Sequence, residues 1–402
     1  MNTTERLYYH DSHLTEFAAH VTHVAELAPG RFGVKLDRTA FYPTGGGQPT
    51  DTGMIDGARV VECIDEEEVG VLHVIEDAPP TIGAEIRGRI DWPRRLDHIQ
   101  QHTGQHILSQ ALIALFDAPT RAFRMMESAS EIDVELSDPA RARIEQAIDL
   151  ANRIIWEDRA ISIHNVTPEE AARLPLRKDS AREGALRVIE IADFDLSPCG
   201  GTHARATGEV GLIAVRAWER AKGLTRLEFV AGTRALADYR RANDTARQTA
   251  AQFSVGRDEA PAAVARLLAE HKELTRRTRA LEELAARVEA AELLAQTTPT
   301  DAGTRLVARI FAGRDADALK RLALALIAQP NTVALLGAHD GADARLVFAR
   351  AQDAPGDMNA LMRAACQLLD GRGGGRADMA QGGGRNTDKL AAAIEEAARS
   401  LS

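Results

Sequence analysis

His102-Thr103-Gly104-Gln105-His106 and Ser197-Pro198-Cys199-Gly200-Gly201-Thr202-His203 are the two stretches that decide how this chain is read. The first lies in a helical pattern. Ile107, Leu108, Ala111, Leu112 and Leu115 recur at helical spacing from Asp97 to Phe116, and Asp117-Ala118-Pro119 stops the run. Two histidines at i and i+4 leave such a helix from one face and can chelate a single ion. The second stretch carries a thiol and an imidazole four residues apart. Gly200 and Gly201 let the backbone curl so that both side chains reach one point. His102, His106, Cys199 and His203 thus make a complete zinc set, a soft thiolate with borderline imidazoles. One Zn2+ per chain is expected. Cys63 and Cys366 have no such companions and read as small buried apolar residues.

Four regions follow outward from these motifs, and together they predict an α+β multidomain chain. Residues 1–95 hold short apolar runs such as Phe32-Gly33-Val34-Lys35-Leu36 between turn signals, which suggests a small N-terminal β-barrel. Residues 96–233 mix helices with strands at Glu131–Leu136, Ile161–Val166 and Leu186–Ile191, an α+β zinc-binding domain. Residues 234–299 are nearly free of Gly and Pro. Leu267, Leu274, Leu281 and Val288 are seven apart, which predicts a helical hairpin with coiled-coil character. Residues 300–402 return to α/β, with strands near Thr332–Leu336 and Arg345–Ala349.

The chain of 402 residues suits two to four domains. An apolar share of 45% and a charged share of 27% are those of a globular protein. No apolar run is long enough to span a bilayer, so no membrane partner is expected. The start, Met1-Asn2-Thr3-Thr4-Glu5-Arg6, has no apolar signal core, and three scattered cysteines make no disulfide framework. The expected compartment is cytoplasmic. A net charge of −10 argues against a nucleic-acid partner at face value. Only six of the 49 basic residues are lysines, however, and arginine offers a planar fork to phosphates.

With the motifs in view, the chain resembles the editing domain shared by alanyl-tRNA synthetases and the free-standing AlaX alanyl-tRNA editing proteins. The resemblance rests on the two quoted stretches and on Thr207-Gly208-Glu209-Val210-Gly211. It implies zinc at His102, His106, Cys199 and His203, and hydrolysis of the ester joining serine or glycine to tRNA(Ala). The domain order is that of a long-form AlaX protein. It also resembles the rear half of an alanyl-tRNA synthetase without the aminoacylation domain, so the expected activity is trans-editing without ATP.

Tyr42-Pro43-Thr44-Gly45-Gly46-Gly47-Gln48 adds a second candidate element. Adjacent glycines permit positive φ, and their amides can bind an oxyanion or phosphate. A flexible hairpin tip is the alternative. The segment is no Walker loop, because no Gly-Lys-Ser/Thr follows. The resemblance implies that it reaches the editing pocket. Gly45, Gly46 and Gly47 are then substrate-binding, and Gln48 contacts substrate or orders water. Gln105 is the other candidate catalytic amide, and Thr120 the candidate hydroxyl sensor. Gly373-Gly374-Gly375-Arg376-Ala377-Asp378-Met379-Ala380-Gln381-Gly382-Gly383-Gly384 resembles the signature of the DHH-associated C-terminal domain, which implies tRNA binding by Arg372, Gly374, Gly375, Arg376 and Arg385. Arg94, Arg95 and Asp97 read as a solvated face, and Leu176-Arg177-Lys178 as a possible platform for the CCA end.

The expected function is therefore zinc-dependent deacylation of tRNA(Ala) mischarged with Ser first and Gly second. The alternatives are a non-catalytic tRNA-binding protein with a structural zinc, and a zinc hydrolase of small acylated amino acids. Four permanent ligands would close the metal site, whereas a ligand that swings away would open it. A homodimer through the helical or C-terminal region is a further possibility.

Overall fold

The computed structural model describes residues 4–66, 69–177 and 185–401. The chain divides into two compact units, Met1–Thr249 and Ala250–Ser402. Lys178 lies outside the described residues.

The first unit opens with a closed six-stranded antiparallel barrel. Its strands run in the order Glu16–Ala28, Arg31–Leu36, Val71–Glu76, Ala58–Asp65, Gly53–Ile55 and Glu85–Ile90. Strict alternation sets each inner face. Phe17, Ala19 and Val21 point in from one strand, Ile86 and Ile90 from another. The excursion from Thr39 to Thr52 is held to the barrel by Asp51. This fully buried carboxylate accepts from the Tyr42 amide at 2.6 Å and pairs with Arg95. Arg95 also donates to the carbonyls of Ser12 and Ala40. The expectation of a solvated face at Arg94, Arg95 and Asp97 thus fails for Arg95, which is 1% exposed. Its pairing partner lies 44 residues away, out of reach of any local reading.

Helix Trp92–Phe116 follows the barrel. It starts before Asp97 because Pro93 is tolerated in a first turn, and Asp117 ends it in a left-handed conformation at φ 50°. Ile107, Leu108, Ala111 and Leu112 pack with Ile144, Ala147 and Ala151 of helix Arg141–Trp156 and with Leu227 and Phe229. The opposite face is polar and equally buried: Gln101, His102, Gln105, His106 and Ser109 are all under 9% exposed. Water cannot serve those groups there, so each must find a protein partner or a ligand. Two antiparallel sheets flank the helix. One orders Ile213–Ala221, Leu224–Ala231, Ser130–Val134 and Thr120–Met125. The other orders Ile161–Val166, Leu186–Ile191 and Asp195–Pro198.

The second unit is a five-stranded sheet in the order Arg305–Ala312, Thr332–His339, Ala344–Arg350, Met379–Gly384 and Gly371–Gly375. Its first pair is parallel and the rest antiparallel. Helices Met358–Leu368 and Leu390–Arg399 cover one face. Helix Ala316–Ile327 packs through Leu319, Leu322 and Leu326 against a core that includes Ala334, Leu336 and Ala290. Helix Ala260–Ala295 docks in this unit through Ala290, Leu293 and Leu294, with Glu282 and Glu289 paired to Arg321 and Arg314. The stripe Leu267, Leu274, Leu281 and Val288 is more than half exposed. No helix among the described residues is long and apolar enough to cross a membrane.

Candidate functional site

The buried polar face of helix Trp92–Phe116 meets the turn that follows strand Asp195–Pro198. The helix supplies His102 and His106, and the turn supplies Cys199 and His203. Gly201 has to be glycine, because a side chain there would occupy the His102 ring. Cys199 Sγ lies 3.4 Å from His102 Nε2 and 3.3 Å from His203 Nε2, and the four ligand atoms all fall within 4.8 Å of one another. Bonds of about 2.3 Å to sulfur and 2.0 Å to nitrogen in a tetrahedron put the S···N edge at roughly 3.5 Å. The spacing fits one ion at the centre, so this group can bind one metal.

The outer nitrogens are equally ordered. His102 Nδ1 is 2.8 Å from Gln48 Oε1, His106 Nδ1 is 3.1 Å from Asp195 Oδ2, and His203 Nδ1 is 3.3 Å from Thr103 Oγ1. An oxygen at each Nδ1 leaves Nε2 free to ligate and fixes the ring plane. Asp195 is anchored in turn by Arg177 at 2.7 Å and Ser197 at 2.9 Å.

Electrostatics favour the ligating forms of Cys199 and His203, whereas at His106 burial is outweighed by the Asp195 and Cys199 hydrogen bonds, which raise its pKa. Burial opposes ionisation of Cys199, but the imidazoles of His102 and His203 hold its thiol well below the usual range. Burial pushes His203 down to about 3 against the opposing pull of Cys199. Burial would also raise Asp195, yet His106 and Arg177 keep its carboxyl below the ordinary range. A thiolate beside a neutral imidazole suits a borderline divalent cation.

A cavity of about 430 Å³ opens onto this cluster, in the range of small-ligand sites. His102, His106 and Cys199 line it together with Gly45, Gly46, Gln105 and Thr120. Gln105 Nε2 donates to Ser109 Oγ at 2.8 Å, and Ser109 Oγ shares a 2.6 Å hydrogen bond with Thr120 Oγ1. Gln48 stands behind His102 instead of facing the cavity. Its oxygen faces His102 and accepts from the Thr202 amide, and its nitrogen donates to Thr202 Oγ1 at 2.9 Å. Gly47, at φ 82°, sits so close to Phe123 that an added Cβ would lie 2.5 Å from that residue's carbonyl oxygen.

The structure brings the four predicted ligands together, with Gln48, Gln105, Gly45, Gly46, Gly47 and Thr120 around them. Arg372, Gly374, Gly375, Arg376 and Arg385 belong to the second unit. There Arg372, Arg376 and Arg385 are exposed, and Arg376 pairs with Asp378 at 3.2 Å. Arg177 is not a stacking platform. Its side chain is buried and ion-paired, because Asp195 beside a ligand histidine requires a cation. Sequence reasoning missed Asp195, Ser109 and Arg187. Ser109 had a signal, since it lies seven residues from His102 on the same face. Asp195 and Arg187 had none. Arg187 lines the cavity and donates from Nη1 to the carbonyls of Cys199 at 2.7 Å and Gly201 at 3.0 Å.

Known proteins resemble this chain in sequence. Residues 186–228 match the threonyl and alanyl tRNA synthetase second additional domain, and residues 303–402 match the DHHA1 domain. The alanyl-tRNA editing protein AlaX-L of Pyrococcus horikoshii is 39% identical over 58% of this chain and 59% of its own length. The alanine–tRNA ligase of Pyrococcus abyssi is 31% identical over 99% of this chain and 44% of its own, and that of Methanoregula boonei 34% over 97% and 43%. The chain spans about half the length of these curated relatives. It carries the second additional domain of threonyl and alanyl tRNA synthetases together with a DHHA1 domain, and it is homologous to an alanyl-tRNA editing protein and, along nearly its whole length, to alanyl-tRNA synthetases.

Proposed function

We propose that this chain deacylates mischarged tRNA(Ala) in trans, Ser-tRNA(Ala) first and Gly-tRNA(Ala) second, with one Zn2+ held by His102, His106, Cys199 and His203. The observation that carries the reading is one cavity lined by His102, His106 and Cys199 of that donor set, by Gly45 and Gly46, and by Thr120, whose hydroxyl is bonded to Ser109. Homology to the editing protein AlaX-L supports the substrate class.

When bound, the ion supplies Lewis acidity and a lowered pKa for nearby water. The residues of the chain supply position. Gln48 and Asp195 fix two ligand rings from behind. Gln105 and Thr120 present polar groups to the ligand from the cavity wall. Alanine is smaller than serine, so size cannot exclude it. A wall that hydrogen-bonds the serine hydroxyl rejects alanine by leaving those groups unpaired, which is the strong direction of discrimination. We place that recognition at Thr120, backed by Ser109 and Gln105. In the second unit Arg372, Arg376 and Arg385 are proposed to contact tRNA phosphates.

Hydrolysis of Ser-, Gly- and Ala-tRNA(Ala) by wild type and Cys199→Ala tests the reading. Serine should be lost fastest, alanine hardly at all, and the variant should lose both bound zinc and activity. Inertness toward Ser-tRNA(Ala) with tRNA binding retained would leave a binding protein with a structural zinc. Free serine esters hydrolysed as fast as the tRNA ester would make it a small-molecule hydrolase.

A further inference from the structure

We propose that Arg187 anchors the phosphate on the 5′ side of the terminal adenosine of the substrate. The proposal rests on the function proposed above and names a contact for it. Arg187 lies on strand Leu186–Ile191, is 9% exposed and lines the cavity. Its Nη1 holds the Cys199 and Gly201 carbonyls, its Nε donates to the Tyr9 carbonyl at 3.1 Å, and its carbon lies 5.3 Å from the Tyr9 ring centroid. Its Nη2 is buried with no hydrogen-bond partner among the described residues.

The other cavity arginines make the contrast. Arg6 pairs with Asp65 at 2.6 and 2.8 Å, Arg121 with Glu135 at 2.7 Å, and Arg177 with Asp195 at 2.7 Å. Among the described residues, Arg187 alone of these four has no carboxylate partner. Carbonyls satisfy donors but do not neutralise charge; the Cys199 thiolate favours the guanidinium, but it is a ligand of the proposed metal, and a buried cation without an anion of its own is costly. A ligand that brings a permanent negative charge removes that cost. An aminoacylated terminal nucleotide carries a cationic amine, a neutral ester and one permanently anionic group, the phosphodiester. That phosphate belongs to the same nucleotide as the ester, and Arg187 grips the same loop that carries Cys199. An oxyanion developing on the ester is the rival occupant.

The test uses the zinc-loaded full chain and a non-hydrolysable amide, 3′-seryl-amino-3′-deoxyadenosine, made with and without a 5′-phosphate. The phosphate should tighten wild-type binding roughly ten- to hundredfold. Arg187→Gln, compared with its own binding of the unphosphorylated analogue, should lose that gain, and Arg187→Lys should keep part of it. Equal wild-type affinity for the two analogues overturns the proposal even if the variants do not fold. A phosphate gain that persists in Arg187→Gln overturns it too. With Ser-tRNA(Ala), the proposal expects Arg187→Gln to raise KM by a larger factor than it lowers kcat. A fall in kcat alone assigns Arg187 to the oxyanion instead. If the wild type hydrolyses Ser-tRNA(Ala) but ignores the phosphate, only this inference fails. If it hydrolyses no Ser-tRNA(Ala) at all, the functional reading fails with it.

Discussion

Two glycine-rich segments of this chain have similar composition and opposite physics. The first, Gly45–Gly47, is a turn. Gly46 and Gly47 sit at φ 56° and 82°, and the turn closes through paired amides and carbonyls of Gly45 and Gln48. The second is a pair of extended strands, Gly371–Gly375 and Met379–Gly384, with Gly373 opposite Gly382. None of those glycines has positive φ. Gly373 and Gly382 are glycine because helix Met358–Leu368 lies directly on the sheet: side chains there would both strike Cys366 Sγ. Glycine therefore serves conformation in one segment and thickness in the other.

Breaking the first segment should have the largest effect. Gly47→Val combines a strained φ with a clash against the Phe123 backbone, so the turn must move away from the metal cluster. Displacement of about 1 Å near a reacting centre costs on the order of a hundredfold in rate. Deacylation of Ser-tRNA(Ala) should fall by at least that much, and wild-type turnover by the variant would show that the turn is a passive tip.

Gln48→Ala should come next. It removes the acceptor on His102 Nδ1 but leaves all four ligands. Loss of such an outer partner lowers metal affinity about ten- to a hundredfold. Competition with a chelator measures this. An unchanged affinity would return Gln48 to a direct role with substrate.

Gly382→Val tests the other segment and should spare the chemistry of the first unit. Overpacking a close contact costs about 1–3 kcal/mol. A side chain at this position would meet the Gly373 Cα at 2.8 Å and Met362 Sδ at 2.9 Å, so some backbone must give. Urea unfolding should show the loss, and Cys366→Ala in the same chain should recover part of it. A cost near zero would mean the helix is free to lift.

The contrast also marks what the sequence could tell. The ligand set was legible because metal chemistry restricts residue types, and i, i+4 on a helix fixes geometry locally. The barrel was legible from short apolar runs between turn signals, and Ile161–Val166 and Leu186–Ile191 read as strands from their apolar residues. Partnerships across long separations were not. Asp195 behind His106, Asp51 beneath Arg95, and Gln48 turned to His102 each join positions 44 to 89 residues apart. Nothing at either end of such a pair announces the other. The resemblance reads the second glycine segment as tRNA-binding through its arginines and glycines. The packing against Cys366 that requires its glycines is invisible without the fold.

The smallest effect belongs to those arginines. Arg372 and Arg385 are exposed, and substitution of such surface residues usually changes stability by less than about 0.5 kcal/mol. If they meet tRNA, each contact releases counterions, and each loss to Ala should flatten the salt dependence of binding by about one unit of log–log slope. Arg376 should matter less, because Asp378 already occupies its guanidinium and would have to be displaced. A double Arg372→Ala, Arg385→Ala protein should therefore melt as the wild type does and bind Ser-tRNA(Ala) with a shallower salt slope. An unchanged slope would mean that the glycine strands serve only to carry their helix, and that tRNA is held elsewhere on this acidic protein.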